Sequence, residues 1–195
     1  YQMLKAPFDH VTLGKIRSGF GLAAACLGVL DFLDISPKEA TVAIQGFGGL
    51  GGGAAYALHS VGVKVIGLAD QQRSLISPNK HSLDISALIR KSQGGLIPDG
   101  PGGGVFGDRE RIYDVHCDVL VPAAIENAIG SDIARTVAVK AIVPGANLAV
   151  TEEAEKVLRE RGIITIPDFI AGCGGSMSKD GLFGPPSHPT EQDVL

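Results

Sequence analysis

Between Gly14 and Leu33 the chain is almost wholly apolar, with small residues interspersed, which predicts a helix buried on most of its circumference. "DISPKEA" interrupts it, and Pro37 marks a loop. "TVAIQ" (41–45) follows as a short run with nearly every position apolar, the pattern of a strand covered on both faces. Residues 49–60 carry alanines and Leu58 at helical spacing, and "KVIGLAD" (64–70) reads as a second strand ending on an acid. Further on come a helix in 82–92, a strand in 117–122, a short helix near 127–137 and a strand in 140–144. A helix over 151–162 and a strand over 163–168 complete the series. Thr151 with Glu152 and Glu153 makes an N-cap and an acidic first turn, and Gly162 supplies the stop. Strands alternating with helices predict an α/β fold of Rossmann type: a doubly wound, mostly parallel sheet with helices on both faces.

Two segments break the alternation. Residues 93–108, "QGGLIPDGPGGGVFGD", hold seven glycines and two prolines in sixteen positions, so a flexible surface loop is expected. Residues 171–195 are rich in Gly, Pro and Ser and predict an irregular tail. The rest reads as one dinucleotide-binding domain spanning 1–195. The chain starts on Tyr1 and has only about forty residues before the first strand of the sheet. The expectation is therefore a fragment whose N-terminal substrate domain is absent.

Composition narrows the partners. Apolar residues make up 45% and charged residues 19%, enough for a large core, and the net charge is −4 with a pI near 5.7. That balance argues against nucleic acid or an anionic membrane as partner. The longest apolar run, 19–30, is shorter than the roughly 20 residues of a membrane span. Cys26, Cys117 and Cys173 are odd in number and far apart, as in a reduced, cytoplasmic protein without a structural zinc. The five histidines are scattered and read as surface or loop residues.

The chemistry-bearing stretch is "GFGGLG" (46–51), which places glycines at the three positions of a dinucleotide fingerprint, Gly46, Gly48 and Gly51. Gly46 permits the tight turn out of the strand, Gly48 lets backbone approach a pyrophosphate, and Gly51 lets the helix lie close to the sheet. Phe47, Gly49 and Leu50 complete the turn, whose N–H groups meet the phosphates at a helix N-terminus. A strand precedes, a helix follows, and Asp70 ends the next strand, so the context a fingerprint needs is present. Asp70 is suited to the ribose hydroxyls of NAD, while Arg73 just beyond it suits a 2′-phosphate, so NAD is expected and NADP stays open. A Rossmann domain for an adenosyl cofactor is a third alternative.

Four segments in this order, "VAIQGFGGLG", "CDVLVPAAIENAI", "IVPGANLAVTEEAE" and "IPDFIAGCGG", resemble the cofactor-binding domain of the Glu/Leu/Phe/Val dehydrogenase family, and within it the branch acting on glutamate. The resemblance implies an amino-acid dehydrogenase that passes a hydride between substrate Cα and nicotinamide, with an amino acid or 2-oxo acid as substrate and an oligomeric assembly. It nominates Ala123, Ala124 and Asn127 on the adenosine side of the cleft and Asn147 at the nicotinamide end. Ser18 stands where the family has a threonine that bonds the carboxamide. Asp168 is implied to brace the cleft floor. No residue of the chain matches the family's substrate-activating lysine segment, so no catalytic residue is assigned. Cofactor binding without turnover is expected of the chain alone. Departures are Pro144 in place of a glutamate, Gly172 in place of an asparagine and Lys179 near a substrate-binding serine. These departures keep open a stand-alone, non-catalytic nucleotide-binding or sensor module.

Overall fold

The computed structural model describes Lys5 and residues 7–8, 11–100 and 102–177. A short antiparallel pair, β1 (Pro7–Phe8) and β2 (Val11–Thr12), leads into helix α1 (Leu13–Phe32). The sheet is built from β3 (Thr41–Gln45), β4 (Lys64–Ala69), β5 (Ser74–Ile76), β6 (Val105–Gly107), β7 (Val119–Pro122), β8 (Ala141–Ile142) and β9 (Ile164–Thr165). Their spatial order is β6-β5-β4-β3-β7-β8-β9. The central pairs β4-β3-β7-β8-β9 are parallel, and β5 and β6 run antiparallel at one edge.

Alternation along the strands creates two cores. Val42, Ile44, Val119, Val121 and Ala141 face one side, against α1, α2 (Gly49–Ser60) and α3 (Ile85–Lys91). Ala43, Ile66, Leu120 and Ile142 face the other, against α4 (Ser131–Thr136), α5 (Glu152–Glu160) and the 3₁₀ turn Arg109–Asp114. With apolar residues needed on both faces, the strands read as continuous rather than alternating runs, as parallel strands do. The doubly wound architecture read from the sequence is the one observed.

α1 and α2 meet at a backbone-to-backbone contact. A Cβ added at Gly19 would lie 2.2 Å from the Ala54 nitrogen, and one at Gly53 would lie 2.5 Å from the Ile16 oxygen. One glycine of the rich stretch, Gly53, thus serves the helix–helix contact rather than a ligand. Close approach of this kind excludes any side chain larger than hydrogen.

Several expected boundaries move. The strand predicted at 117–122 starts at Val119 and those at 140–144 and 163–168 shorten to two residues each. The helix predicted near 127–137 is confined to Ser131–Thr136, because Asn127 takes a left-handed φ of 52° and Ile129 bridges to Val150. The helix over 151–162 is capped as read: Thr151 accepts from the Ala154 N–H and Gly162 follows with a φ of 71°.

The expected loop at 93–108 is corrected at its C-terminal end, while its earlier described residues hold no helix or strand. Ile97 is buried, and Val105–Gly107 pairs with β5 as a sheet-edge strand. Two of its glycines are required by packing: a Cβ at Gly102 would come within 2.6 Å of Leu75 and one at Gly104 within 2.9 Å of Leu83. The expected irregular tail is corrected over its first residues, where α6 (Asp168–Ala171) is followed by a helical turn at 174–177. Residues 178–195, including Lys179, lie outside the described residues. Among the described residues no helix is long and apolar enough to cross a membrane, and no cluster of His, Cys, Asp and Glu is arranged to hold a metal.

At the amino ends of the strands, Asp118 ties three of them together. Its carboxylate accepts from the Thr41 N–H (2.9 Å) and hydroxyl (2.7 Å), and Lys140 Nζ lies 2.8 Å from its other oxygen. Burial by itself raises the Asp118 carboxyl, but the bonds from Lys140 and Thr41 outweigh it and hold the group below the ordinary carboxylate value. A depressed folded-state pKa adds stability above the unfolded value, lost as pH falls through the folded one. Asp118→Asn is therefore expected to lower Tm at pH 7, with the deficit shrinking below about pH 4, read by thermal unfolding across pH. A deficit equally large at pH 3 contradicts the ionic role.

Candidate functional site

The carboxyl ends of β3, β4 and β7 converge on Gly46. Its φ of 109° is reachable at low cost only by glycine, and its N–H donates to the Ala69 oxygen at 2.7 Å. The turn therefore sits between neighbouring strands: a Cβ at Gly46 would meet the Ala123 oxygen at 2.9 Å and the Ala124 Cβ at 3.1 Å. Gly51 lies over the same turn, where a Cβ would come within 2.1 Å of the Gly46 oxygen. Phe47 is buried, and Leu50 on the first turn of α2 packs toward Gly145.

Gly48 differs from these. It is the N-cap of α2, and a Cβ placed on it would meet nothing within 4 Å. Its hydrogen faces space, directly at the end of a helix that has no side-chain cap among the described residues and whose first backbone bond runs from the Gly52 N–H to the Gly48 oxygen (2.8 Å), so the N–H groups before it lie outside the helical ladder. On the other flank the 93–97 segment closes in: a Cβ at Gly95 would lie 3.1 Å from the Gly48 Cα.

Beside this bend is a cavity of about 140 Å³ lined by Gln45, Gly46, Asp70, Gln71, Ala124 and Ile125, with Arg109, Glu110 and Tyr113 from the 3₁₀ turn. Gln45 Oε1 is buried and has no hydrogen-bond partner among the described residues. Tyr113 is partly buried, which pushes its phenol up. Arg109 Nε donates to Glu110 at 2.5 Å on the surface of this cavity, raising the guanidinium and lowering the carboxyl.

Asp70 and Arg73 are already engaged. Asp70 Oδ1 accepts from the N–H groups of Gln72 (2.7 Å) and Arg73 (2.9 Å), and Oδ2 accepts from the Ile97 N–H (2.6 Å). Arg73 reaches Asp99 at 2.7 Å and the Ile97 oxygen at 2.6 Å, and its guanidinium lies 4.1 Å from the centroid of the Phe106 ring. Together they pin the 97–99 segment beside the cleft.

The remaining nominated residues are spread along the cleft. Ala123 donates to the Gln45 oxygen at 2.7 Å and, with Ala124, forms the wall facing Gly46. Asn127 is exposed, away from the cavity lining, and its N–H bonds the Leu148 oxygen. Asn147 is exposed on a turn that Asp168 braces by accepting from the Leu148 N–H at 2.5 Å. Ser18 faces the "CGG" segment: a Cβ at Gly174 would sit 3.0 Å from the Ser18 oxygen, and Arg17 donates to the Gly175 oxygen at 3.1 Å. Sequence reasoning missed Gln45, Gln71, Arg109, Glu110 and Tyr113. The run "GDRERIY" carries a charge cluster after a glycine, but only the edge strand β6 delivers it to the mouth of the cleft.

A mostly parallel sheet with helices on both faces and a bare bend at the carboxyl ends of its central strands defines a Rossmann-type α/β domain. The family model for Glutamate/Leucine/Phenylalanine/Valine dehydrogenase matches residues 15–179, and the chain belongs to that family. It is 39% identical over 153 residues to a glutamate dehydrogenase of Thermotoga maritima, covering 77% of this chain and 36% of that protein. It is 36% identical over 164 residues to the NADP-specific glutamate dehydrogenase A1 of Halobacterium salinarum, covering 83% of this chain and 39% of that one. An NAD-specific glutamate dehydrogenase of Staphylococcus aureus is 37% identical over 163 residues, covering 78% and 38%. Among solved structures, glutamate dehydrogenase of Plasmodium falciparum superposes with a TM-score of 0.78 at 25% identity, over 93% of this chain and 42% of that one. The hetero-hexameric enzyme of Thermus thermophilus superposes at 0.73 with 26% identity, over 83% and 38%. The chain thus spans a little over a third of the curated relatives it matches.

Proposed function

We propose that the chain is the nicotinamide-dinucleotide-binding domain of an amino-acid dehydrogenase acting on glutamate, and that alone it binds the cofactor without turnover. The observation carrying this reading is Gly48: a glycine at a helix N-cap whose missing side chain leaves open space, in a family whose curated members include NAD- and NADP-specific dehydrogenases. The residues present fit such a group. The N–H groups opening α2 suit a pyrophosphate, and the cavity beside Asp70 suits an adenosine ribose. Bound there, the nicotinamide supplies the hydride acceptor.

The chain's own part is positioning. Asp168 fixes the turn that carries Asn147, and the close Gly21–Gly174 contact holds the 173–175 segment against the α1 turn bearing Ser18. Both Asn147 and Ser18 are proposed for the carboxamide side. Groups that bind the substrate carboxylate and move protons are assigned to parts of the protein outside this chain, in keeping with its share of the relatives' length. The full protein is proposed to oligomerise, as the hetero-hexameric T. thermophilus relative does, and to act in the cytoplasm, where three free cysteines stay reduced.

The test is a titration with NADH followed by nicotinamide fluorescence. Expected is saturable binding with Kd in the micromolar to millimolar range, about −4 to −8 kcal/mol. No binding at millimolar cofactor overturns the reading.

A further inference from the structure

We infer that NAD and NADP are told apart in this domain by the Arg109–Glu110 pair, and not by Asp70 or Arg73. The inference rests on the proposed dinucleotide site and names its discriminating residues. Asp70 lies at the position where an acid reads the ribose, yet its carboxylate accepts three backbone N–H bonds that shape the 70–73 turn and hold Ile97. Arg73 is held by Asp99, the Ile97 oxygen and the Phe106 ring. Turning either toward a ligand breaks the packing of the 97–99 segment. What remains charged and free to reorient around the cavity beside Gly46 comes from across the cleft: Arg109 and Glu110, with neutral Gln71 beside Asp70 in the same lining.

Their chemistry suits the task. The two side chains are 56% and 62% exposed, and they bond each other rather than any group of the core. An exposed ion pair is weak and screened, so the guanidinium exchanges partners readily. A 2′-phosphate offers it a multiply charged acceptor that matches its fork of donors. Glu110 repels the same phosphate and competes for the same guanidinium. A 2′-hydroxyl feels neither effect strongly. Arg109 and Glu110 thus act as opposing weights on NADP alone.

Equilibrium titration of the purified chain with NADH and NADPH, at low and high salt, tests this. Arg109→Ala is expected to raise the Kd for NADPH about tenfold while NADH stays within about twofold, and to flatten the salt dependence of NADPH binding. Glu110→Gln is expected to lower the NADPH Kd by about three- to tenfold, and Arg109→Lys to restore part of the loss. Both residues are exposed, so unchanged circular dichroism and Tm accompany these shifts. If the variants move both cofactors equally, or neither, while wild type binds, the inference is overturned and the dinucleotide site stands. If wild type binds neither dinucleotide at millimolar concentration, the site itself fails and the inference with it.

Discussion

Gly48→Val is expected to weaken dinucleotide binding about a hundredfold or more while the domain stays folded, and Gly51→Val to unfold it. The two glycines are three residues apart and look alike in sequence. A side chain at Gly48 enters open space at the start of α2, where the phosphates are proposed to lie. Its φ of −74° with ψ of −162° is extended backbone open to valine, so the loss falls on the ligand. A Cβ at Gly51 has no such room, with the Gly46 oxygen 2.1 Å away. Fluorescence titration and thermal unfolding on both variants separate the effects. A Gly48→Val protein that binds as well as wild type removes the phosphates from this helix end.

Asp70→Ala is expected to cost about 3 kcal/mol of stability, since it leaves three N–H groups without an ionised acceptor. For a domain of this size that lowers Tm by roughly 6–12 °C. Asp70 is only 9% exposed, so water cannot readily replace the carboxylate. A ribose-reading residue free of structural duty behaves oppositely, losing NAD affinity with little change in Tm. Differential scanning calorimetry beside a cofactor titration decides between them: an unchanged Tm would show that the turn does not depend on Asp70.

Much of the architecture was legible because it rests on local rules. Apolar strands alternating with helices dictate a covered parallel sheet, Thr151 and Gly162 mark the ends of their helix, and "GFGGLG" between strand and helix marks the bend. The edge was not legible. "SLI" (74–76) and "VFG" (105–107) are too short and too close to glycines or turn residues to carry a strand period, and they exist as strands only because each pairs with a neighbour. The same holds for Gly19, Gly53 and Gly174, whose need for a bare Cα arises only where another backbone passes.

By itself the sequence determined the alternation of the central strands with helices and the position of the bend, which follow from periodicity and from residue types next to one another, while the family entered through the resemblance of four motifs. Only the tertiary structure decided which glycines face open space at the helix end and which face another backbone. It also decided that Asp70 and Arg73 serve the 97–99 segment, and that Arg109 and Glu110 reach the cavity from across the sheet edge. The physical reason is that an acid or a bare Cα acquires its role from the partner nearest in space, and for these residues that partner comes from a distant part of the chain.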